Sequence, residues 1–187
     1  MMINKKEQII RAASELIHSK GYENTKLSDI LKAAGIGKGQ FYHYFSSKRD
    51  LGIAVIDHIV HDWEQNLIKG ILESEKTSDE KLSCMLDWAV SYHENVACFH
   101  GCPFGNLALE MSEHDETFRT KVNELFEQWI QRLEEILRDQ VGEKDAKRHA
   151  QGIVAQIEGG ILLMKNFQDQ SVLKNVIENI RAQYLKV

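Results

Sequence analysis

The residues best equipped for chemistry crowd into one short stretch. Lys38, Gln40, Tyr42 and His43 stand within six positions of one another. Lysine and glutamine can hydrogen-bond base edges, and lysine, tyrosine and histidine can bond phosphate oxygens. Gly39 lies among them, and a residue without a Cβ lets a backbone come close to a duplex. Phe41 and Phe45, four apart, fall on the other side of a helix and would anchor it to a core. The chemistry on offer is recognition of nucleic acid.

Such a stretch needs a scaffold. Just before it, Leu27, Ile30, Leu31 and Ala34 recur at helical spacing and share one face. Thr25 or Ser28 can cap that helix by accepting a hydrogen bond from an open backbone N–H. Gly35 ends it, since glycine tolerates the left-handed conformation at helix ends. Ile36 is the lone apolar residue of the turn and is expected to plug the gap between the helices. Two helices joined by a short glycine-bearing turn form a helix-turn-helix, whose second helix enters the major groove. The alternative is a helical pair that merely packs.

Residues 9–51, IIRAASELIHSKGYENTKLSDILKAAGIGKGQFYHYFSSKRDL, resemble the N-terminal domain of the TetR family of bacterial transcriptional regulators. The matching features are the AA-x-x-L-I-x-x-x-G-Y opening at residues 12–22, Thr25 before a short helix, and AAGIGKGQFYHYFSSKRDL at 33–51. Gly37 and Gln40 depart from the residues common there, at positions where operator choice is made. The resemblance implies an all-α fold: a three-helix DNA-binding domain over 4–64 and a six-helix ligand-binding and dimerisation domain over 65–187. It implies contacts to double-stranded operator DNA from Thr25, Lys26, Ser28, Lys38, Gly39, Gln40, Tyr42, His43 and Lys48. It also implies a homodimer through the last two helices and release from DNA by a small-molecule effector.

Composition agrees with a helical protein in the cytoplasm. A single proline in 187 residues leaves room for long helices. No apolar run approaches the roughly 20 residues needed to cross a membrane. The opening MMINKKEQII has no signal-peptide core. Three cysteines are too few for a disulfide framework. The net charge of −5 is uneven: residues 1–50 hold nine Lys/Arg against five Asp/Glu, and the remainder 14 against 23. A basic end on an acidic body orients one face toward DNA.

In chain order, helices are expected over 5–20, with Lys5 and Lys6 near phosphate or simply solvated, and over 48–72 as one long element. Ser46 and Ser47 cap the latter, making with Lys48 an anion site. Its packed face is read as Leu51, Ala54, Val55, His58, Ile59 and Asp62, continued by Trp63, Leu67 and Ile71. Residues 73–79 read as a loop, and 80–98 as a helix with Val96 among the inward residues. A short helix follows Pro103, then helices over 117–141, 143–167 and 171–186. Residues 151–160 are rich in glycine and alanine, which is tolerable where another helix approaches closely.

For the effector, Met85, Trp88, Tyr92, Asn106, Met111, Phe126, Trp129 and Gln156 are the candidate contacts. Methionine and aromatic residues at helical spacing equally fill cores. Cys102 precedes Pro103 at a helix start, where a thiolate is favoured. With Lys165, it resembles a TetR subset in which some members sense electrophiles or oxidants through such a cysteine; alkylation or sulfenic acid would be the chemistry. The alternative is a small packed thiol. His93, Cys98, His100, Cys102 and His114 supply metal-ligand types without paired spacing, so no metal and no cofactor are expected. No glycine-rich phosphate loop or HExxH motif points to an enzyme.

Overall fold

The computed structural model describes residues 4–94 and 98–185, with the side chain of Cys98 outside the described set. It is all-α, with no strand among the described residues. The order is α1 (Lys5–Lys20), α2 (Leu27–Ala34), α3 (Lys38–Tyr44) and α4 (Lys48–Trp63), which runs on as a π-helical stretch, Glu64–Leu72. Then come α5 (Ser78–His93), a 3₁₀ turn (Cys98–His100), α6 (Pro103–Met111), α7 (Glu116–Val141), α8 (Glu143–Phe167) and α9 (Ser171–Tyr184). Among the described residues no helix is long and apolar enough to cross a membrane.

The chain packs as two compact units. The first joins Met1–His61 to Pro103–Val122, and the second joins Asp62–Cys102 to Asn123–Val187. This packing differs from the expected division at residue 64, which places α6 and the start of α7 with the regulatory part. The reason is specific bonding. The Glu110 carboxylate of α6 accepts the backbone N–H groups of Tyr22 and Glu23, both at 2.8 Å. Arg49 donates to Asp115 at 2.5 and 3.0 Å and to Thr117 at 2.9 Å. The Tyr22 ring meets Phe118 edge-on at 5.0 Å.

Within the first unit, Asn4 caps α1 by accepting the Lys6 N–H, and Gly21 ends it at φ 86°. Gly35 ends α2 in the left-handed region, φ 62° and ψ 41°. Ile9, Ala13, Ile30, Ala34, Phe41 and Leu51 are fully buried and form the centre. Burying one such large side chain stabilises by about 1.5–3 kcal/mol. Ile36 is only half-buried, so it closes the turn without filling it. Gly52 lies under two rings: a Cβ there would come within 2.6 Å of Tyr22 and 2.8 Å of Phe118.

The second unit holds two further corrections. The expected single helix over 48–72 changes winding after Trp63. In the π-helical stretch Leu67, Ile68 and Leu72 are the buried residues, at one- and five-residue steps, while Ile71 is only half-buried. Asp62, placed on the packed face by helical spacing, is exposed. The loop expected at 73–79 ends early, because Thr77 and Glu80 form a reciprocal capping box that starts α5 at Ser78. α5 is described to His93, and Val96 lies outside the described residues. α8 lies on α9 closely at Gly160, where a Cβ would meet Val176 and Leu173 at 3.2–3.3 Å.

Candidate nucleic-acid interface and regulatory core

α3 has one buried and one open side. Phe41 is completely buried and Phe45 nearly so, and their rings pack at 5.8 Å. Lys38, Gly39, Gln40, Tyr42 and His43 are all exposed. Tyr42 is 57% exposed although its ring is large and partly apolar. Nothing lies within 4 Å of a Cβ built on Gly39, so the backbone there is approachable. The two phenylalanines fix the helix, and the remaining residues present hydrogen-bonding groups outward. Lys26 and Ser28, at the start of α2, are exposed too.

Thr25 does not join them. It is fully buried, and its hydroxyl donates to the Gly21 carbonyl at 2.6 Å. Its side chain therefore braces the loop after α1 and offers no outward contact. It also does not cap α2: Lys26 holds the cap position, with no side-chain cap bond there from Thr25 or Ser28.

Lys48 is poised at the start of α4. Its ammonium sits 4.3 Å from the centre of the Tyr22 ring and donates to the Glu23 carbonyl at 3.4 Å. A cation over an aromatic face is held in place without being neutralised. Ser47 accepts the Asp50 N–H at 3.0 Å, and Asp50 in turn accepts from the Ser46 N–H at 2.8 Å. The expected serine cap is present, but the Asp50 carboxylate occupies the same turn. Lys6 lies over the Phe45 ring at 5.6 Å, at the end of α3.

The effector candidates separate. Asn106 and Met111 belong to the first unit; Met85, Trp88, Tyr92, Phe126, Trp129 and Gln156 belong to the second. In the second, Trp129 and Met85 are buried together, with the indole N–H donating to the thioether sulfur at 3.2 Å. Trp63, read from sequence only as packing, is the hub: its ring meets Trp88 at 5.1 Å, Tyr92 at 6.0 Å and Trp129 at 5.7 Å. Trp88 and Tyr92 stack at 5.3 Å. Phe126 is half-buried. Gln156 is exposed, and its amide folds back onto the Gly152 carbonyl.

Cys102 is 2% exposed. Its thiol hydrogen-bonds the carboxyl of Glu158, which burial pushes above the usual carboxylate range while that bond pulls it back. A reactive thiolate wants a neighbouring cation, and one neighbour of this thiol is an acid. Lys165 is seven residues beyond Glu158 on the same side of α8. Sequence reading missed Glu158, although a signal existed: it lies one turn after Val154 and one turn before Ile161, both buried. Burial likewise pushes the Tyr92 phenol up. Among the described residues no three His, Cys, Asp or Glu side chains gather as a metal site would require.

A short helix set on two buried phenylalanines, with a polar outer face and a preceding helix ended by glycine, defines a helix-turn-helix DNA-binding regulator. The chain belongs to the TetR family. Residues 9–55 match the profile of bacterial regulatory proteins of the tetR family, and residues 78–179 match the C-terminal domain of LmrA/YxaF-like transcriptional regulators. It is 40% identical to an uncharacterized HTH-type transcriptional regulator in the lacX 3′ region of Lactococcus lactis subsp. lactis, over 98% of this chain and 95% of that one. It is 30% identical to the HTH-type transcriptional regulator LmrA of Bacillus subtilis (strain 168), over 92% and 93%. A crystal structure of a TetR transcriptional regulator from Legionella pneumophila superposes with a TM-score of 0.87 at 26% identity, covering 98% of this chain and all of that one.

Proposed function

We propose that this regulator acts in the cytoplasm as a homodimeric repressor that grips a near-palindromic operator and is released by a reversibly bound small molecule. The observation that carries it is the outer face of α3, which holds four hydrogen-bonding side chains over a fully buried anchor. One such face reads a single half-site; a palindrome needs two, about one DNA turn apart. Support for the pairing surface comes from α8. Gly152, Ala155 and Gly159 recur along one side, followed by Leu162 and Phe167, which are 53% and 60% exposed. A Cβ on Gly152 or Gly159 would meet nothing within 4 Å in one chain, so room for a second helix is open there.

A gel-shift titration against the DNA upstream of the protein's own coding region tests the reading. Binding is expected as a dimer, and with about eight phosphates neutralised, log affinity falls against log salt with a slope of roughly −7. Absence of a shift, or affinity indifferent to salt, would remove it. The acid against Cys102 favours a reversible ligand over a thiol switch. Cys102→Ser is accordingly expected to leave DNA binding and release by electrophiles unaltered; loss of an electrophile response in that variant would reverse this preference.

A further inference from the structure

We propose that Glu158 is the group with which this regulator recognises its effector, and that the effector is an organic cation with an apolar or aromatic body. The inference rests on the ligand-release reading above and adds the chemical class of the ligand.

Glu158 is an acid in an apolar setting without a counter-charge. Its Oε1 is buried and has no hydrogen-bond partner among the described residues. Among the described residues, the side chain that acts on its carboxyl is Cys102, whose thiol is a weak donor. Val154 and Ile161, one turn to either side, are 6% and 3% exposed. A carboxylate taken from water without a matching cation is among the costliest groups a fold can bury. An incoming cation would supply what the chain itself omits.

The surroundings favour the same ligand. Trp63, Trp88 and Trp129 are all of the chain's tryptophans, and with Tyr92 they form one connected cluster of rings. Cys102, itself buried, links this cluster to the acid, since it acts on both Tyr92 and Glu158. Faces of tryptophan and tyrosine attract organic ammonium groups through their ring quadrupole. A neutral ligand would gain the rings but leave the carboxyl uncompensated, and an anion would be repelled by it.

The test uses the full-length protein and two probes of the same shape, benzyltrimethylammonium and its uncharged carbon isostere, neopentylbenzene. Binding is read by quenching of tryptophan fluorescence, since every tryptophan lies in the cluster. The cation is expected to bind about ten-fold tighter than the isostere. Glu158→Gln and Glu158→Ala should erase that difference and leave neopentylbenzene affinity unchanged, with thermal melting confirming that both variants fold. Equal binding of the two probes, binding of neither, or a charge preference that survives both substitutions would overturn the proposal. Operator release is followed in parallel. A charge preference abolished by Glu158→Gln without DNA release keeps the cation site and removes the release reading. Release by neutral compounds with no charge preference does the reverse.

Discussion

α3 and α8 both carry a face that their own chain leaves uncovered, and the two faces have opposite chemistry. On α3 the uncovered side holds Lys38, Gln40, Tyr42 and His43, groups that bond to phosphates and base edges. On α8 it holds small residues followed by Leu162, Leu163 and Phe167. A polar outward face is satisfied by water until a polyanion replaces it. An apolar one gains by meeting another apolar surface, and large exposed apolar patches mark interaction sites. The same helical geometry thus suits two kinds of partner, and the side chains choose between them.

The largest expected effect comes from reversing the apolar face. Leu163→Glu with Phe167→Glu places like charges where two copies would meet. Sedimentation should then show monomers, and operator affinity should fall on the order of 100-fold, because the second half-site no longer comes tethered to the first. A dimeric double variant would move the pairing surface elsewhere. Next is the polar face: Tyr42→Ala or Lys48→Ala should each weaken operator binding about ten-fold while the dimer persists, and Lys48→Ala should also reduce the salt slope by about 1. If monomerisation accompanied either change, the two faces would not be separable in function.

The smallest effect concerns the brace of the first unit. Hydrogen bonding to Arg49 holds the Asp115 carboxyl below its ordinary value of 3.8, helped by the N–H groups of Phe118 and Thr117. A carboxyl lowered in the folded state stabilises fully above its unfolded value, and the contribution disappears as pH falls through the folded one. Arg49→Gln should therefore melt slightly lower than the parent at neutral pH, with the two melting temperatures converging as pH falls below the ordinary carboxylate range. The pair is largely exposed on the arginine side, which keeps the effect small. A difference that persists undiminished in acid would assign the stability to packing of Arg49 instead.

Much of this was readable from local pattern. The ends of α1 and α2 follow from Gly21 and Gly35, and the two-sided character of α3 follows from Phe41 and Phe45 at a spacing of four. The glycine- and alanine-rich run pointed to close approach, and at Gly160 the approaching helix is the chain's own α9. The Thr77–Glu80 capping box is present in the sequence but sits within a polar stretch that has the composition of a loop. Thr25 was misplaced for a different reason: hydroxyls serve DNA and backbone equally well, and only the fold turns this one toward Gly21.

What the sequence determined by itself is the helical order and the reading helix, because these depend on residues within a few positions of one another. The tertiary structure alone decided that Glu110 and Asp115 bind α6 and the start of α7 to the N-terminal helices. It alone brought Glu158 to Cys102 across 56 positions of chain. Such pairings are set by the closure of distant segments around a core, and no local spacing encodes which acid will end up beside which donor.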